Sequence, residues 1–72
     1  MKYAVIFERT ATGWSAYVPD LPTVLVTGPP DVEEMRAQVA SAIGFHIRGL
    51  RVDGDPVPEP ETHVEEIEPN AA

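Results

Sequence analysis

Twelve carboxylates, two histidines and no cysteine bound the chemistry open to this 72-residue chain. Carboxylates cut phosphodiesters when several converge on a pair of divalent cations, one of them usually from the middle of a strand. The first apolar segment offers only Glu8, at its end, and Asp20 falls in a loop between two prolines. The other acids lie at a helix start or in the C-terminal quarter, so no nuclease cluster is expected. His46 and His63 are far apart and lack ligand neighbours at metal-binding spacing. Ser15 and Ser41 have no His and acid in a recognisable order, and no glycine-rich phosphate loop is present. The expectation is a non-enzymatic chain with no catalytic residue, no metal and no cofactor.

Charge is the more informative pattern. Of the net −7, residues 1–52 contribute nothing: five acids (Glu8, Asp20, Asp31, Glu33, Glu34) offset five bases (Lys2, Arg9, Arg36, Arg48, Arg51). From Asp53 onward there are seven acids and no Lys or Arg. Such a segment repels phosphate backbones, so no direct nucleic-acid binding is expected. It serves either as a solubility device or as a surface that attracts a basic protein. No apolar run is long enough for a signal peptide or a membrane span, which points to the cytoplasm.

The elements that hold these residues follow from spacing. Lys2 to Glu8 reads as a strand apolar on both faces, with Tyr3, Val5 and Phe7 on one and Ala4 and Ile6 on the other. Thr10 to Gly13 turns into a second strand, Trp14 to Val18, which Pro19-Asp20-Leu21-Pro22 stops. Val24 to Thr27 is a short third strand, ended by Gly28-Pro29-Pro30. Asp31-Val32-Glu33-Glu34 has the capping-box pattern, and Val32, Met35, Val39, Ile43, His46 and Leu50 form one stripe of a helix running to about Val52. Gly54 suits its C-cap, and Pro56, Pro58 and Pro60 enforce an extended exit. His63 to Glu68 reads as a last strand, although Val64 and Ile67 are an odd number apart and need a bulge to face inward together.

The expected fold class is therefore α+β. A three-stranded antiparallel meander is followed by one long helix and then a final strand parallel to the first (βββαβ). The whole of 1–72 forms one domain, with a neutral βββα body over 1–52, a Pro/Glu linker over 53–62, the last strand over 63–68 and a tail over 69–72. A chain this small buries only about 60 % of its unfolded surface and usually needs a staple. Without cysteine or a metal site, self-association as a dimer or tetramer is the staple left.

Tyr3-Ala4-Val5, Trp14 and Tyr17, Pro19-Asp20-Leu21-Pro22, Gly28, the Asp31-to-Glu34 helix start and the run from Ala42 to Pro60 together resemble the HicB-like antitoxin family. The likeness extends over nearly the whole chain and rests on the order and spacing of these segments. Thr23 and Val24 depart from it where a Gly-Cys pair is common, and Pro29-Pro30 adds a residue before the helix. The resemblance implies a partial RNase H-like fold. It also implies a partner, a small basic HicA-like toxin that cleaves messenger RNA and is silenced when the antitoxin covers it. Many such antitoxins carry a C-terminal DNA-binding segment, and with Ala72 close behind the last strand that segment is expected to be missing. The competing reading is an orphan oligomeric domain that binds another protein or a small ligand.

Candidate interface residues are Trp14, Tyr17, Phe45, Glu65, Glu66 and Glu68. Trp14 and Tyr17 lie on opposite faces of one strand, so one is core and the other interface, and parity alone does not say which. Phe45 points off the apolar stripe and reads as an interface anchor or a harmless exposed aromatic. His46, on the stripe, reads as a packed, hydrogen-bonded core group rather than a ligand or catalyst.

Overall fold

The computed structural model describes residues 1–70. Strands β1 (Ile6–Arg9), β2 (Trp14–Val18) and β3 (Leu21–Gly28) form one antiparallel sheet in the order β1-β2-β3, and helix α1 (Val32–Val52) packs on one of its faces. This is the expected α+β meander with one helix.

Cross-strand register assigns the faces. Phe7, Ala16 and Val26 are mutual neighbours across the three strands and point to the helix, where Ala16, Val18, Leu21, Val24, Met35 and Val39 form the buried core. Tyr3, Val5, Trp14, Ala42 and Ile43 pack around it, half-buried. The backbone of α1 runs close to β3 and β2 and farther from β1, so the helix sits off-centre on the sheet.

Each end of the helix follows from a local cause. The Asp31 carboxylate accepts from the Glu33 and Glu34 backbone amides, the bond from Glu33 being 2.9 Å. At the other end Gly54, at φ 75°, donates to the Arg51 carbonyl while Asp55 donates to that of Leu50. These two bonds make a Schellman cap, which needs the left-handed residue that glycine supplies. At the hairpin tip Gly13 is required for a different reason. A Cβ there would lie 2.1 Å from the Gly28 carbonyl oxygen, closer than any side chain can come.

Three expectations are corrected. The first strand starts at Ile6 instead of Lys2, although Tyr3 and Val5 still pack against the core. The third is longer than Val24–Thr27, because the register shifts between Tyr17 and Val18 so that Val18 faces Leu21 while Tyr17 faces Leu25. That irregularity lets Leu21 and Val24, an odd number apart, both turn inward, and it accommodates Pro22 within an edge strand.

The third correction concerns the last strand. Residues 53–70 carry no regular secondary structure, and His63 to Glu68 do not pair parallel to β1. The extended exit instead crosses the end of the sheet. The Tyr3 hydroxyl donates to the Pro58 carbonyl at 2.6 Å, and the Asp20 carboxylate, in the turn joining β2 to β3, accepts from the Glu61 and Thr62 amides and the Thr62 hydroxyl. This path leads away from the free edge of β1. Glu65, Glu66 and Glu68 add mutual repulsion to any single-faced pairing. The radius of gyration, 14.4 Å, exceeds the roughly 11 Å expected of a compact chain this long. Residues 63–70 accordingly form an exposed arm on a thin two-layer body.

Candidate functional site

Two surfaces and the arm carry the groups that the fold leaves unused. The first surface is the sheet face opposite the helix. Register aligns Ile6, Tyr17 and Leu25 in one row across all three strands, with Glu8, Ser15 and Thr27 in the next. Leu25 is 65 % and Tyr17 38 % exposed, so an apolar row faces water where the single helix cannot reach.

The parity question over the aromatics is settled here. Trp14 is on the helix side, edge-on to Phe7 with ring centroids 6.2 Å apart, and its indole nitrogen donates to the Pro30 carbonyl at 3.0 Å. The Arg9 guanidinium lies 4.7 Å from its ring centroid. Trp14 therefore closes the end of the core, and Tyr17 is the aromatic left on the open face. Phe45 is 75 % exposed on the helix. His46 is half-buried rather than part of the core, with the Thr23 hydroxyl 3.4 Å from its ring nitrogens.

The second surface is a groove between β1 and α1, opened by the off-centre seating of the helix. It encloses about 170 Å³ and is lined by Val5, Phe7, Arg36, Val39, Ala40 and Ile43. Pockets for cofactors or drug-sized ligands usually hold roughly 300–1,000 Å³, so this one suits a side chain better than a small molecule. Arg36 stands at its rim, paired on the surface with Glu33.

The arm presents Glu65, Glu66 and Glu68 together with Val64 and Ile67, all exposed, and Ile67 is 82 % so. His63 pairs with Glu65 within it. Three donors hold the base of the arm at Asp20. The Thr62 amide draws the Asp20 carboxyl below its ordinary pKa against the opposing effect of desolvation, and the Thr62 hydroxyl and the Glu61 amide add lesser pulls in the same direction.

No known family model, curated protein or solved structure matches the chain. Among the described residues no group of three or more His, Cys, Asp or Glu side chains could hold a metal ion. Glu8 lies on the open sheet face and Asp20 is occupied by the arm. Among the same residues no helix is long and apolar enough to cross a membrane. Sequence reasoning missed the groove, because it depends on where the helix sits across the sheet. It also missed the Asp20 clamp, because the partners are 41 and 42 residues apart in the chain.

Proposed function

We propose that this chain is a non-enzymatic, antitoxin-like protein of the cytoplasm that binds and neutralises a small basic, mRNA-cleaving toxin. The observation that carries the reading is the separation of charge: residues 1–52 are neutral, and every excess negative charge lies between Asp53 and Glu68, on exposed side chains. A basic protein is drawn to such a segment from a distance. Apolar groups then available for close contact are Tyr17 and Leu25 on the sheet and Phe45 on the helix. In this reading the partial RNase H-like fold is completed when residues 63–68 take up strand geometry in an assembly, with self-association supplying the burial that six core residues leave short.

The test is co-expression with a short basic protein encoded beside this chain, followed by co-purification and an RNA-cleavage assay. The expected result is a complex in which cleavage stops. A neighbour that cleaves RNA equally well with or without saturating amounts of this chain would refute the reading and leave an orphan oligomeric domain.

A further inference from the structure

Helix α1 leaves the inner side of β1 open, and β1 is also a free edge, so Val5 and Phe7 line a groove beside unpaired backbone groups. An extended segment added along such an edge gains main-chain hydrogen bonds and places alternate side chains on the two faces of the sheet. We propose that the occupant is the arm of a second copy of this chain, residues 63–68, lying parallel to β1. This deepens the self-association reading and rests on it, while standing apart from any toxin.

The match is one of pattern and charge. With Val64 beside Val5 on the helix side, Glu66 falls beside Phe7 at the groove rim, where Arg36 stands, and Glu68 falls toward Arg9. Ile67 then points to the opposite face beside Glu8, one row along from the apolar row of Ile6, Tyr17 and Leu25. The odd spacing of Val64 and Ile67, a fault in a strand with one dry face, suits an edge that has apolar surface on both sides. Arg9, at the end of β1, and Arg36, at the groove rim, stand against the glutamates of the arm.

A second copy is needed because the clamp sends each arm the wrong way. The exit passes Tyr3, just before β1, and is then fixed at Asp20 in the turn after β2, so the base of each arm is held away from its own groove. Two copies exchanging arms satisfy both grooves through one two-fold contact.

Full-length variants and sedimentation equilibrium test this. Val64→Asp disables the arm without touching the core, and Ala40→Glu, at an exposed helix position, disables the groove. Each alone is expected to weaken the dimer about tenfold or more with an unchanged circular dichroism spectrum. An equimolar mixture of the two should recover part of that affinity, since a mixed dimer keeps one sound arm in one sound groove. Recovery on mixing supports exchange. Variants that dimerise like the parent, while Leu25→Glu dissociates, would overturn the proposal in favour of the open sheet face. Loss of dimer without recovery on mixing would place each arm on its own chain, and a monomeric parent at micromolar concentration would remove self-association altogether.

Discussion

Asp20 shows how much one side chain sets in a small chain. Its carboxylate gathers two amides and a hydroxyl from Glu61 and Thr62, and that contact fixes the arm's exit. Because the folded pKa is depressed, the contribution is present above the ordinary aspartate value and fades as the pH falls through the folded one, below about pH 4. Protection of the Thr62 amide, taken relative to its intrinsic exchange rate at each pH, should therefore be lost in Asp20→Ala at neutral pH, and in the parent only on acidification. Equal exchange in both proteins at pH 7 would show that the clamp does not hold in solution. Asp31 makes a similar contact at the helix start, so Asp31→Ala is expected to cost about 1 kcal/mol by urea unfolding. Gly13 admits no side chain at all, and Gly13→Ala should cost about 2 kcal/mol or more because the obstruction is backbone.

At the scale of elements, local rules were legible wherever the decisive partners lay nearby in the chain. The helix bounds follow from Asp31 and Gly54, and the meander follows from its turns. The register of β3 was not legible, because only its pairing with β2 reveals that Leu21 and Val24 share a face across an irregularity. The same odd spacing in Val64 and Ile67 finds no such neighbour within the chain, and no strand forms. Tyr17 and Trp14 could not be told apart until the helix was seen to choose a face. The helix itself buries fully only Met35 and Val39. Met35→Ala should cost about 2–5 kcal/mol. That approaches the whole stability expected of a 72-residue chain, on the order of 4–11 kcal/mol. Phe45→Ala, at an exposed position on the same helix, should stay within about 0.5 kcal/mol of the parent. Thermal unfolding of the pair measures both, and a large loss at Phe45 would mean that it is covered in the isolated protein.

At the scale of the whole molecule, the proposed recognition of a basic partner divides into two stages between the neutral body and the acidic arm. Charges on the exposed arm act over about 8–10 Å at ordinary salt, so Glu65, Glu66 and Glu68 influence an approaching basic partner before any close contact forms. In the proposed complex, apolar contacts such as Phe45 would act only after docking and so govern how long it lasts. Replacing the three glutamates with glutamine should slow association with the basic partner about tenfold at low salt and flatten the dependence of that rate on ionic strength. Phe45→Ala should leave the association rate near that of the parent and speed dissociation. Stopped-flow kinetics over a salt series separates the two effects. An association rate indifferent to the glutamates at every salt concentration would reduce the acidic segment to a solubility device, and equal dissociation rates would remove Phe45 from the interface.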